Sequence, residues 1–162
     1  FRYRQEDAGL CRFKRWEKKL IIKVMDLTQI DMSRFDFDPC WVREHIQRDV
    51  ARETVNEMAQ KGDFCIVSDV DEIPRASAVK EYITSGQYDV GVLVLDRHMY
   101  YLNYRNVTTD EPQLNAKILP ADKLKTYSLN DVRFSDKERV LPTRRIEKGG
   151  WHFTFQSGLS FK

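Results

Sequence analysis

The sequence predicts an α/β fold with a mostly parallel central sheet flanked by helices. Two observations carry this. Apolar, strand-like runs alternate with segments of helical periodicity, the pattern of strands joined by crossover helices. One run, Phe64-Cys65-Ile66-Val67, is apolar at every position, as expected of a strand covered on both faces. A length of 162 residues suits one domain, 1–162, and 41% hydrophobic residues supply a core for it.

Taken in order, "KKLIIKVMDL" (18–27) has the apolar density of a buried strand. "QIDMSRFDFDP" (29–39) is a polar, acid-rich connection. Residues 38–62 read as a long helix. Val42, Ile46, Val50, Val55 and Met58 recur at spacings of three to five, close to one face. Asp38 suits its cap, Pro39 its first turn and Gly62 its stop. The strand at 64–68 follows, placed centrally, with Asp69 to Glu72 on the loop at its carboxyl end. Pro74 opens a short helix through "RASAVKEYITSG" that ends near Gly86. "DVGVLVLDRHMYYLNY" (89–104) is strand-like, as two strands or one bent strand. "NAKILP" (115–120) is a short strand, "ADKLKTYSLNDV" (121–132) a brief helix, and "GGWHFTF" (149–155) a strand after a double-glycine turn.

Charge is balanced overall, with 27 basic and 25 acidic residues and a net charge of +2. No global polyelectrolyte character therefore points to nucleic acid, and none is expected as a partner. Locally, residues 1–23 hold eight Lys/Arg against three acids, and residues 133–162 hold seven against three. Basic ends around an acidic centre would suit an anionic ligand held through a cation; ordinary solvated surface is the plainer explanation. The three cysteines, Cys11, Cys40 and Cys65, form neither a disulfide framework nor a zinc pattern. No apolar run reaches the roughly 18 residues of a membrane span. The chain starts at Phe1 without Met and ends on "SGLSFK", which reads as a fragment.

The chemistry concentrates in "DFCIVSDVDEIPR" (63–75). Three acids, Asp69, Asp71 and Glu72, fall within four residues at the end of an apolar strand. In open α/β sheets, ligands bind just beyond the carboxyl ends of strands. Carboxylate oxygens suit Mg²⁺ or Mn²⁺, and Mg²⁺ leaves positions open for substrate phosphates. A turn whose acids merely cap the next helix explains the same residues. So does a haloacid-dehalogenase-like phosphatase, whose strand ends in Asp-x-Asp with a nucleophilic first Asp. Here, however, Glu72 and Ile73 stand where that family favours Gly and Thr, and no later acidic pair follows an apolar strand.

Near the carboxyl end, "GGWHFTF" places His152 in a strand-like run. Taken together, "SDVDEIPR" and "GGWHFTF" resemble glycosyltransferase family 17, the β-1,4-mannosyl-glycoprotein 4-β-N-acetylglucosaminyltransferase family. "WVREHIQRD" (41–49) and "MYYLNYRN" (99–106) add to the likeness, which spans roughly residues 5–162. It implies a GT-A-like sheet with its amino-terminal strand truncated before Phe1. It also implies a metal-dependent, inverting transfer of N-acetylglucosamine from UDP-GlcNAc to a sugar hydroxyl, of a β-mannoside acceptor as in N-glycan processing. The partners would then be a UDP-sugar and a glycan. The compartment follows the source: Golgi lumen if eukaryotic, cytoplasm if bacterial or viral. The polar "VTTDEPQLNAK" departs from the aromatic-rich stretch expected there. An inactive carbohydrate-binding module of the same fold is the non-enzymatic alternative.

The resemblance also assigns roles. Asp69, Asp71 and His152 would hold Mn²⁺ or Mg²⁺, with Asp71 in direct contact and Asp69 partly engaged with ribose or water on the donor. Glu72, beside the metal turn, is the candidate general base, with helix capping as its alternative. Arg48, Arg75 and Lys162 are candidates for the donor phosphates; each also makes an ordinary surface cation, and Arg48 an i,i+4 pair with Glu44. Tyr100, Tyr101 and Trp151 could stack on acceptor sugars, although most strand aromatics are core.

Overall fold

A computed structural model describes residues 15, 17–23, 25–26, 38–101, 104–107, 114–138 and 141–154; at 39–40, 96–101, 104–107, 136–138 and 154 it describes the backbone alone. The chain divides into two units, Phe1–Asp31 and Met32–Lys162. In the first, residues 17–19 form a 3-10 turn, closed by the Leu20 amide on the Glu17 carbonyl (3.2 Å). Residues 20–23 have no regular structure, and Leu20, Ile21 and Ile22 are exposed. The strand expected over 18–27 is therefore absent from the described part of that segment.

The second unit is α/β. Its elements are α1 (Pro39–Met58), β1 (Phe64–Val67), β2 (Glu72–Pro74), α2 (Ala76–Thr84), β3 (Val90–Tyr101), β4 (Tyr104–Val107), β5 (Lys117–Pro120), a 3-10 helix (Ala121–Lys125), α3 (Leu129–Glu138) and β6 (Thr143–Thr154). The sheet runs β1-β5-β3-β6-β2, with β4 folded back on β3. Among the described residues only β3 and β6 pair in parallel; β1–β5, β3–β5, β2–β6 and β3–β4 are antiparallel. This corrects the expectation of a mostly parallel sheet. Apolar strands separated by helices do not fix direction, because a loop can return the chain either way.

The position of β1 also differs. It ends the described sheet path, and Ile66 is 41% exposed. A fully apolar run came from uneven cover instead. Cys65 and Val67 pack under α3 with Leu119, Leu124 and Val132, while Phe64 packs with Tyr82 of α2. Helices cover both faces. On one, Ala78 and Tyr82 of α2 meet Leu93, Leu95, Ile118 and Ile146. On the other, Leu129 and Val132 of α3 and Val55 of α1 meet Val90 and Leu119. Neighbouring residues of β5, Ile118 and Leu119, thus serve opposite cores, as the two-residue period of a strand requires.

The long helix forms as expected, with the Asp38 carbonyl taking the amides of Trp41 and Val42 (2.9 and 3.2 Å). Val42 is buried, but Met58 at the last turn is exposed. Polar side chains tie that end down instead. Arg52 and Asn56 donate to the Leu124 carbonyl (2.7 and 3.1 Å), satisfying an end of the 3-10 helix that lacks its own partner. No helix among the described residues is long and apolar enough to cross a membrane.

Candidate functional site

The apolar run stops at Val67, and residues 68–71 form a tight turn before β2. The Glu72 amide donates to the Asp69 carbonyl (3.0 Å), and the Asp69 amide donates back to the Glu72 carboxylate (2.8 Å). This reciprocal closure resembles a capping box. It turns Glu72 inward, where its side chain has no exposed surface. The tip of the turn, Val70, is 98% exposed.

Arg133 of α3 lies beneath the turn with its side chain buried. Its guanidinium donates to both Glu72 oxygens (2.8 and 3.0 Å), to the Asn115 carbonyl (2.8 Å) and to Asp69. Arg48 of α1 approaches Asp69 at 3.9 Å while bonding Glu44, and donates to Asn130 of α3 (3.3 Å). Burial holds the Asp69 carboxyl above the usual carboxylate range. It outweighs the attraction of Arg133 and Arg48, and the charges of Glu72 and Glu44 add to it.

Asp71 has a different neighbour. Its carboxylate oxygen Oδ2 lies 3.1 Å from Nε2 of His152, and its carbonyl accepts from the Phe153 amide (2.8 Å). The sheet makes this meeting. β2 pairs with β6 so that Glu72 faces His152, Ile73 faces Trp151 and Pro74 faces Gly150. The two glycines explain how β6 can lie there. A Cβ at Gly149 would sit 2.8 Å from the backbone of Leu93, and one at Gly150 would sit 2.2 Å from the Ile73 carbonyl oxygen. The β3–β6 register also shifts between Leu93 and Leu95, next to these glycines. The double glycine read as a turn is in fact inside the strand, where neighbouring backbones come close.

Of the residues singled out in the sequence, Asp69, Asp71, Glu72, Arg48 and His152 gather at this turn. Glu72 does not face a cleft there. It is an internal counter-ion of Arg133, which corrects its expected place at a reacting group. Trp151 lies on the opposite face of β6 from His152, paired with exposed Ile73 and capped by Arg75, whose guanidinium carbon sits 4.2 Å from the ring centre. Arg75 also donates to the Lys148 carbonyl (3.0 Å). These two residues therefore engage each other on the face turned away from His152. The side chains of Tyr100 and Tyr101, and all of Lys162, lie outside the described residues.

Sequence reasoning missed Arg133. It sits in a polar, charged stretch, and its only signal is the need of a buried carboxylate for a partner. A cavity of about 540 Å³ adjoins the turn, between β1 and α2. Ile66, Pro74, Ala76, Val79 and Ile83 give it an apolar wall, with Ser68 and Lys80 as polar members.

As metal ligands, Asp71 and His152 fit: a hard oxygen and an imidazole nitrogen, both acceptable to Mn²⁺, within one hydrogen-bond length. Asp69 fits less well, because Arg133 already engages it. Among the described residues, no group of three or more His, Cys, Asp or Glu side chains is arranged to hold a metal ion. Comparison with protein-family models, with curated proteins and with solved structures gave no match.

Proposed function

We propose that this chain is a metal-dependent glycosyltransferase that moves N-acetylglucosamine from UDP-GlcNAc to a sugar hydroxyl with inversion. One observation carries the reading. Asp71 and His152, 81 residues apart, stand within 3.1 Å of each other at the end of an apolar strand. A divalent cation, when bound, would neutralise the charge that grows on the leaving diphosphate. Asp71 and His152 would anchor it. Among the described residues, Arg48, held beside Asp69 by Glu44 and Asn130, is the cation placed to meet a phosphate oxygen. The turn is kept rigid beneath them by Glu72 and Arg133, so that ligand positions are set before substrate arrives. A GT-A-like arrangement and a glycan acceptor belong to the same proposal.

The phosphatase alternative needs Asp69 as a nucleophile. That carboxylate is bonded to a buried guanidinium, which lowers its nucleophilicity.

Calorimetry of UDP with and without Mn²⁺, followed by transfer from UDP-GlcNAc to β-mannoside acceptors, tests the reading. Mn²⁺-dependent UDP binding with transfer supports it. Sugar binding without UDP binding would instead favour a carbohydrate-binding module, and release of phosphate from an aryl phosphate a phosphatase.

A further inference from the structure

Three carboxylates crowd one turn, but the chain treats them differently. Glu72 is fully buried and takes two bonds from Arg133 and one from the Asp69 amide. Asp69 is bonded by Arg133 as well, with Arg48 at 3.9 Å. Asp71 is 39% exposed and meets His152 instead. Arg133 comes from α3 and reaches Asp69 across 64 residues of sequence, so it joins a helix to the turn. A guanidinium presents its donors in a fixed planar fork, and here the fork spans two carboxylates and a carbonyl.

We infer that Arg133 is the positioning residue of this site, and that it takes Asp69 and Glu72 as internal counter-ions, leaving Asp71 with His152 to receive a divalent cation. This rests on the glycosyltransferase reading and deepens it. Asp69 becomes part of the frame. The fork of Arg133 fixes Asp69 and Glu72, the two ends of the turn, and so fixes where Asp71 between them presents its oxygens. A lysine in its place keeps the charge but offers a point where the fork offered a plane, and the turn loses its registration. Partners of this kind behind a metal ligand typically change metal affinity by about 10–100-fold when altered.

The test is Mn²⁺ binding, followed by the electron-spin-resonance signal of free Mn²⁺, in wild type, Asp69→Asn, Asp71→Asn and Arg133→Lys, well below each melting temperature. Asp71→Asn is expected to lose binding. Asp69→Asn keeps an oxygen to accept from the Arg133 fork and should stay within about twofold of wild type, whereas Arg133→Lys should weaken binding about tenfold although its own side chain touches no metal. A purely structural Arg133 would lower the melting temperature and leave the affinity of the folded protein unchanged, and that result overturns the inference. Should Arg133→Lys fail to fold, Asp69→Asn decides alone. Wild-type affinity upholds Asp69 as a counter-ion, and loss to the level of Asp71→Asn overturns it. Wild type without Mn²⁺ binding would remove the glycosyltransferase reading and this inference together, an outcome distinct from the other two.

Discussion

Gly150 lies so close to Ile73 that a methyl group on its α-carbon would sit 2.2 Å from the Ile73 carbonyl oxygen. That closeness is what lets β2 pair with β6 and brings Asp71 to His152. Gly150→Ala must push the strands apart. Overpacking of this kind costs about 1–3 kcal/mol or more. Urea unfolding should show that loss, together with weaker Mn²⁺ binding in the fraction that stays folded. Wild-type stability in the alanine variant would mean that the two strands do not meet here.

Asp71→Asn and His152→Ala should separate function from stability. Without metal, His152→Ala loses one hydrogen bond, worth about 1 kcal/mol, while Asp71→Asn keeps an amide oxygen to accept from the ring and should lose less. With Mn²⁺ and UDP at about a hundred times the dissociation constant, wild type should gain about 2.7 kcal/mol by linkage. Asp71→Asn should gain almost none of it, and His152→Ala only part. Melting curves with and without the two ligands measure both effects. An undiminished gain in His152→Ala would make His152 a packing residue.

Glu72→Ala should act the other way, on the fold first. It strips a buried guanidinium of its bidentate partner, and removal of one member of such a pair costs about 3–5 kcal/mol. Denaturant midpoints read the loss directly. A variant as stable as wild type would show that Arg133 finds water or another partner once Glu72 is gone.

The raised Asp69 carboxyl gives a pH signature of its own. Its folded-state value lies above the ordinary 3.8, so the native state keeps a proton there that the unfolded chain has released. Stability contributed by this group is therefore full below the ordinary value and falls as pH rises through the raised one. Asp69→Asn removes that slope. The difference in unfolding free energy between wild type and variant should shift in favour of the variant as pH climbs from about 3.8 upward. A shift in the opposite sense would mean that the attraction of Arg133 outweighs burial.

Burial pushes the Cys65 thiol up to about 11. At pH 8 it should be almost wholly protonated, and the thiolate is the reactive form. Alkylation of Cys65, followed by peptide mass spectrometry, should be slow in the native protein and fast in urea. Fast native labelling would mean that β1 opens readily.

How much of this was legible in the sequence depended on the kind of signal. α1 was visible because it is long and capped, and β1 because four apolar residues stand between a turn and a serine. The meeting of Asp71 and His152 was reachable only through family resemblance, since no local pattern links positions 81 apart. The amino-terminal half of β6 was not legible. Its "TRRIEK" (143–148) hides a strand, because Arg144, Arg145, Glu147 and Lys148 interrupt the alternation around a single buried Ile146. Strand direction was illegible for a deeper reason. Periodicity records which face a residue buries, and it is blind to which neighbour the backbone bonds. Arg133 shows the same limit for charge: a guanidinium in a buried pair and one in water look identical in a string of letters.

The placement of β6 between β3 and β2 has a consequence for assembly of the molecule. β2 is three residues long, and β6 is its neighbour in the sheet. A ribosome delivers residues at about 5–20 per second, so β2 must wait several seconds for partner residues nearly eighty positions later in the chain. Contacts of such wide sequence separation slow folding, because the entropy of loop closure comes due before they reward it. The acidic turn would then stand among the last parts to order during synthesis, and a chaperone that shields the waiting edge of β3 would protect the nascent site as well.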